Sequence, residues 1–480
     1  MILGMLRTKF AALLIGVGGV GLAATFGTTN KLIETITSLG IGGAAVRDIS
    51  SALANNDQQA IGRTVLSLKR LCWFTGLLGM LVTVALSPLI GTLTFGSDVH
   101  NLEIASLGLI VLFFNVSIGQ MALIQGARRI GDIARIKVAS AAIATAITIC
   151  LYLWLGERGI VPALVISSLI QLAMSSYFAK HVPVPVVKMS WRESVNEASS
   201  IVKLGFAMMW AVLMFNLVNY ARVTMITNQI DLKAVGYYSA AFALSGMFVN
   251  FVLQAMGTDY YPRLAALVDD EHSMGKLVNE QVEISLLLAV PGLLATLFIA
   301  PWIIHVFYTS EFLPAVGLLR WFILGCLASV VSSPLTYILY VMGRSKWVVL
   351  SQTLYYSVYI AVLWGLLSVL GLKGVAIAHL IMSILYIFFI YAITKRLASF
   401  CWNRQVLRMM FNIFILFTCA LVFVSHASLM VSTIVGTCVA ICTTIICLKS
   451  LIIRVDSESK IIKKIIAIPG LRFLMSTKPS

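Results

Sequence analysis

Stretches of 18 or more apolar residues recur from one end of the chain to the other, and this feature limits the possible folds more than any other. Each stretch, as a helix, is long enough to cross the roughly 30 Å hydrocarbon layer of a bilayer. Inside that layer every backbone amide must be satisfied within the protein, so only helices and closed barrels qualify. A barrel would alternate polar and apolar residues over short segments, and this sequence does not. Charged residues make up 11% of the 480 positions and hydrophobic residues 60%, against about 25% charged in an ordinary soluble chain. The expected fold is an all-α membrane protein of about fourteen transmembrane helices. The spans fall near 1–19, 21–45, 71–95, 102–124, 137–155, 160–179, 204–226, 235–258, 284–307, 315–341, 347–369, 374–394, 409–425 and 429–448.

The basic residues fix an expected orientation. Of the 35 lysines and arginines, five fall inside these spans, Lys137 at the first position of its span being counted with the preceding loop, and only Arg158, Lys233 and Lys373 lie in loops after odd-numbered spans. The remaining 27 sit in loops after even-numbered spans or beyond the last one. The positive-inside rule then places both termini in the cytoplasm. The net charge of +16 is spread between apolar segments and does not form a soluble basic face, so nucleic acid is not an expected partner. The tail from Ser459 to Met475 interleaves Ile461, Ile462, Ile465 and Ile466 with Lys460, Lys463 and Lys464. That pattern suits a helix lying on an anionic leaflet, with membrane lipids as partners, or a plain solvated tail.

Compared with itself, the chain repeats at an offset of 215 or 216 residues. Val20-Gly21 falls on Val235-Gly236, Arg7 on Arg222, Gly156 and Gly159 on Gly371 and Gly374, Ala163 on Ala378, and Lys180 on Lys395. Arg47 and Arg263 match at 216. Six spans is an even number, so the two halves enter the membrane in the same direction, as parallel repeats in a transporter-like arrangement. The expected organisation is an N-terminal six-helix lobe over 1–180, a cytoplasmic linker over 181–203 and a second six-helix lobe over 204–396. Helices 13 and 14 occupy 397–453, and a basic cytoplasmic tail 454–480. The offset sets Met1 opposite Asn216, although span 7 begins near Leu204. The first helix is therefore expected to be short, or its natural start to lie upstream.

Arg7, Lys9, Lys31, Arg222 and Arg320 fall inside expected spans. An isolated charge at mid-bilayer costs roughly 2.5–3.5 kcal/mol on insertion scales, so such residues face a watery cavity, a partner or the interface. Arg222 lies close to Asn216, Asn219 and Tyr220, and Arg7 is its repeat mate. A guanidinium pair in a shared cavity suits a phosphate-bearing substrate, and snorkelling to the headgroups is the competing reading. Lys31 and Glu34 are one helical turn apart, as an ion pair would be. Glu34 is the carboxylate placed well inside a span, and so the candidate for proton or sodium coupling. Arg320 is expected at the outer interface, and His305 and His379 in packing roles.

The eight cysteines imply no disulfide framework. Cys438 and Cys442 share a helix face without a histidine or carboxylate nearby, which favours packing over a metal. The sequence has no phosphate-cradling GxxxxGK[ST] loop, no HExxH and no metal-spaced cluster, so no cofactor is expected and ATP-driven transport within this chain is disfavoured. Gly16, Gly18, Gly19 and Gly21 follow no strand and do not form a dinucleotide loop.

Three passages resemble a known family. Lys9 to Arg47 combines an Ala/Leu helix, a Gly-Val-Gly-Leu connection at Gly19 to Leu22 and a close on Ser38-Leu39-Gly40-Ile41-Gly42. The others are Val235-Gly236-Tyr237-Tyr238 through Tyr260-Tyr261-Pro262-Arg263, and Gly343-Arg344-Ser345-Lys346. In these the chain is similar to the polysaccharide transporter branch of the multidrug/oligosaccharidyl-lipid/polysaccharide exporter superfamily, especially Wzx-type O-antigen flippases. The resemblance implies alternating access and export of a polyprenyl-diphosphate-linked oligosaccharide from the cytoplasmic to the periplasmic leaflet of the bacterial inner membrane. It also implies service to lipopolysaccharide synthesis beside the polymerase and chain-length machinery. Cationic cavity residues in such flippases hold the diphosphate, a part that Arg222, Arg7 and Lys31 could take here.

The nearest competing function is a drug/cation antiporter of the same superfamily, which should favour carboxylates over arginines in its cavity. A membrane O-antigen polymerase or ligase, the enzymatic alternative, would need a substantial outward loop with catalytic groups. No outward loop is that large, so the chain is not expected to be an enzyme.

Overall fold

A computed structural model describes residues 2–55 and 57–454. Among these residues the regular elements are all helical, with no strand. The first half runs through α1 (Ile2–Ser38), α2 (Ile41–Ala54), α3 (Gln58–Ala85), α4 (Ser87–Phe95), α5 (Asn101–Gly126), α6 (Ile130–Leu155) and α7 (Ile160–Ala179). Then come α8 (Trp191–Gln229), α9 (Leu232–Ala265), α10 (Glu271–Phe298), α11 (Ala300–Phe307), α12 (Ala315–Val341), α13 (Ser345–Leu370), α14 (Leu372–Ala398), α15 (Arg404–His426) and α16 (Leu429–Arg454). The amphipathic pattern expected in the tail beyond Arg454 lies outside the described residues.

Twelve helical stretches among the described residues are long and apolar enough to cross a membrane, two fewer than the sequence suggested. The difference falls at two places. One stretch, 130–179, holds both α6 and α7, which pack on each other on either side of the turn at Gly156–Gly159. The other is α1, continuous except for a break at Gly16 (φ 64°, ψ −168°). The expected connection at Gly19–Leu22 is therefore helical, and the interruption sits earlier. The residues before Gly16 make a helix of only about 21 Å at 1.5 Å per residue, short of a full crossing. The second expected span, 21–45, is also corrected, because the helix stops at Ser38 and turns through Leu39 (φ 47°) and Gly40 (φ 65°).

The expected linker over 181–203 is extended only in its first part. Ser190 caps α8 by accepting from the Glu193 amide at 3.2 Å, while the Ser190 amide donates to Glu193 Oε2 at 2.9 Å. This reciprocal cap starts a 39-residue helix at Trp191. The hydrogen bond from Ser190 holds the exposed Glu193 carboxyl below the usual carboxylate range. Arg70 secures the incoming strand of chain, with Nη1 donating to the Met189 and Ser190 carbonyls, each at 3.0 Å.

The repeat read from sequence recurs in the backbone. Gly16 plus 215 is Asp231, and α8 gives way to α9 at Ile230–Asp231. Gly156 and Gly371, also 215 apart, end α6 and α13 with nearly equal left-handed φ values of 56° and 58°. Glycine takes that conformation without the steric cost of a Cβ. The halves diverge at Gly40, whose counterpart Ala255 lies inside the uninterrupted α9.

The chain packs as two compact units. Among the described residues, one comprises those up to 239 with 306–312 and 352–372, and the other 240–305, 313–351 and 373–454. In the first, α3 is inside-out relative to a soluble helix. Its buried face is Cys72, Thr75, Gly76, Gly79 and Thr83, and its exposed face Phe74, Leu77, Leu78, Leu81 and Val82. Small residues inside and large apolar ones outside is the pattern of a helix whose solvent is lipid. The fully buried Asn115 of α5 joins three helices, donating to Thr37 Oγ1 of α1 at 3.1 Å and accepting from Thr75 Oγ1 of α3 at 3.4 Å. Asn115→Ala is expected to cost about 1–2 kcal/mol, the upper range for such bonds between membrane helices, read as a lower midpoint of unfolding in detergent. A core of Ile15, Leu22, Phe26, Ile104, Leu107, Tyr152 and Ile160 lies among α1, α5, α6 and α7.

In the second unit, α10 packs against α12, α15 and α16. His379 fills space there, edge-on to Phe242 and Phe322 with ring centroids 6.0 and 5.5 Å away. His305 is exposed near the end of α11. Cys438 and Cys442 are both exposed on α16. Arg320 lies partly buried, its Nε donating to the Leu297 carbonyl at 3.3 Å.

Candidate functional site

Polar groups in the apolar spans of the first unit gather where the second part of α1 runs along α8. Where α8 gives way to α9, α1 approaches the start of α9 closely because glycines face backbone. A Cβ on Gly21 would collide with the Leu232 carbonyl and lie 2.9 Å from the Gly236 amide, and one on Gly236 would collide with the Val17 carbonyl. Gly21 and Gly236 are repeat mates, so the two halves meet here through equivalent residues. Near the other end, Gly40 and Gly205 meet in the same way. Between these contacts Asn216 donates to Thr35 Oγ1 at 2.8 Å.

Arg222 projects from α8 into a cage of neutral groups and is only 4% exposed. Its Nη1 donates to Tyr238 Oη at 2.6 Å and to Asn219 Oδ1 at 3.3 Å. The guanidinium carbon lies 5.6 Å from the Tyr238 ring centroid and 4.9 Å from that of Tyr359. Tyr355 packs on Tyr359, with ring centroids 6.2 Å apart. Cation–π contacts of this kind are strengthened by desolvation. The side chain is thus held within the protein and does not snorkel outward.

Arg7, partly buried, lies beside Tyr152 of α6. Lys9 donates to the Tyr308 carbonyl. Lys31 and Glu34 come together as expected, with Nζ 3.1 Å from Oε2. Glu34 also accepts from Asn30 Nδ2 at 2.8 Å. Their environments differ sharply, the Lys31 side chain being 54% exposed and that of Glu34 8%. Lys31 also stands 5.0 Å from the centre of the Phe114 ring. Arg7 and Arg222 each engage tyrosines of their own. Asn219 was legible beside Arg222, one turn away on the same helix. Tyr238 was legible only as part of a short motif, and Tyr152 and Tyr359 carried no signal linking them to an arginine.

The family profile described as "Polysaccharide biosynthesis protein" matches residues 19–317. The chain belongs to this polysaccharide biosynthesis protein family. No curated protein sequence matches it. Among solved structures, an inward-facing multidrug resistance MATE family transporter of the MOP superfamily is similar with a TM-score of 0.68 and 14% identity, over 83% of this chain and 94% of that one. The lipid II flippase MurJ, in an inward closed conformation, gives a TM-score of 0.65 and 14% identity over 94% and 97%. MATE in its bent conformation gives 0.55 and 13% over 85% and 95%. At these identities the likeness is one of fold. Together they describe a polysaccharide biosynthesis protein with the all-helical fold seen in the MATE and MurJ structures.

Proposed function

We propose that the protein is a flippase that moves a polyprenyl-diphosphate-linked oligosaccharide, such as an O-antigen repeat unit, from the cytoplasmic to the periplasmic leaflet by alternating access between two six-helix lobes. The observation that carries this reading is Arg222, a permanent charge buried among apolar helices and bonded by a phenol and an amide oxygen. Its charge is available to a phosphate, which outcompetes neutral acceptors for a guanidinium. Arg7 and Lys31 are proposed to complete the diphosphate site, with the half-exposed Lys31 meeting the substrate first. A mostly apolar groove of about 930 Å³ in the second unit, lined by Leu286, Leu327, Phe388, Phe411 and Phe414, suits the polyprenyl chain. Lipopolysaccharide assembly at the inner membrane, with both termini cytoplasmic, is the setting that fits this substrate.

Glu34 is the proposed coupling carboxylate. An imposed proton gradient is expected to accelerate flipping by the native protein and to leave Glu34→Gln unaffected, measured in vesicles. Equal acceleration of both would remove Glu34 from the coupling. The function is tested by complementing a flippase-deficient strain and following which lipid-linked repeat unit stops accumulating inside. Restored surface polysaccharide is expected, and continued accumulation with the protein stably inserted would refute the proposal.

A further inference from the structure

We propose that Tyr238 is an internal competitor for Arg222, a positioning residue whose hydroxyl holds the guanidinium when no substrate is present and reclaims it as the phosphate leaves. The idea rests on the phosphate-binding role proposed for Arg222. In the structure the Nη1 group that would grip a phosphate is already engaged by Tyr238 Oη at 2.6 Å and Asn219 Oδ1 at 3.3 Å, and the side chain is almost wholly buried. A phosphate reaching Arg222 therefore has to displace the phenol. It can do so, because a bond between two charged groups is stronger than one to a neutral oxygen. When the phosphate departs, a guanidinium left bare in a low-dielectric interior would be strongly disfavoured. The Tyr238 hydroxyl removes that obstacle to release.

A tyrosine beside the arginine occurs in both repeats. Each repeat sets the arginine of its first helix against a tyrosine of its fifth. Arg7 meets Tyr152, and Arg222 meets the ring of Tyr359. The two arginines are 215 residues apart and the two tyrosines 207, about two helical turns out of step. The sequence repeat does not pair these tyrosines, but the fold brings both to their arginines.

A competitor leaves a distinct kinetic mark. Removing it should tighten ground-state binding and slow release together, so that the half-saturating concentration and the maximal rate fall by similar factors and their ratio is preserved. Loss of structure alone would lower the rate without moving half-saturation. The test uses the full chain in vesicles with a polyprenyl diphosphate bearing one fluorescent sugar, its flipping followed over a range of probe concentrations for native protein and Tyr238→Phe. Both parameters are expected to fall about tenfold, equivalent to about 1.4 kcal/mol. Should Tyr238→Phe not reconstitute, Asn219→Ala removes the second acceptor and is expected to shift both parameters in the same direction. Half-saturation that is unchanged or raised, in a variant that still flips the probe, overturns the competitor and leaves the flippase reading standing. Native protein that does not move the probe defeats that reading and the competitor with it.

Discussion

Arg222→Ala is expected to reduce flipping of a lipid-linked oligosaccharide by about two orders of magnitude or more while the protein still inserts in the membrane. The estimate follows from losing two charge-assisted hydrogen bonds to the diphosphate, at about 1.5–3 kcal/mol each. Insertion is spared because alanine removes the cost of bringing a charge into the bilayer. Arg222→Lys keeps the charge but loses the planar fork and the stacking on Tyr359, so only partial recovery is expected. Surface-polysaccharide display and membrane abundance, measured side by side, separate these outcomes. Normal display by a stably inserted Arg222→Ala protein would remove Arg222 from the binding site.

The second large effect concerns the contact between the repeats. Gly21→Ala places a methyl group against the Leu232 carbonyl and the Gly236 amide, backbone that can yield only by separating α1 from α9. Overpacking of this kind costs about 1–3 kcal/mol, and Gly21→Val is expected to prevent stable folding altogether. Gly27→Ala is the control, because nothing lies within 4 Å of its added methyl in the same helix. There the exchange is expected to be neutral or to stabilise by up to about 1 kcal/mol through helix propensity. Thermal unfolding in detergent checks both. Equal midpoints for the two alanine variants would contradict the close packing at Gly21.

Much of the fold was legible because its causes are local. Membrane helices announce themselves by length and apolarity, and the offset of 215 was visible in Gly156 and Gly371 because the same left-handed turn demands the same residue. The helical start at Trp191 was equally local. The Ser190-x-x-Glu193 signature was there to be read, but the basic residues around it drew the segment into a loop. The break at Gly16, three residues before the expected connection, shows the limit of placing an interruption within a run of four glycines.

The candidate site was legible only in its charges. Arg222, Arg7, Lys31 and Glu34 stand out because each is out of place in an apolar span. Their surroundings depend on tertiary structure. Tyr359 lies 137 residues from Arg222, and no periodicity carries information over such a distance. Apolar periodicity likewise cannot distinguish an arginine that snorkels from one enclosed by tyrosines, since both are flanked by the same kind of residue. Enclosure in neutral groups is what recommends Arg222 as a phosphate ligand.

The central claim, movement of a lipid-linked diphosphate across the bilayer, is tested most directly by reconstituting the purified protein in sealed vesicles. These carry a fluorescent polyprenyl-diphosphate sugar in both leaflets, and the fraction bleached by a membrane-impermeant reductant is followed with time. The expected result is bleaching of nearly all the probe, against about half in protein-free vesicles, with Arg222→Ala vesicles resembling the protein-free ones. Bleaching that stops at half with folded native protein would contradict it.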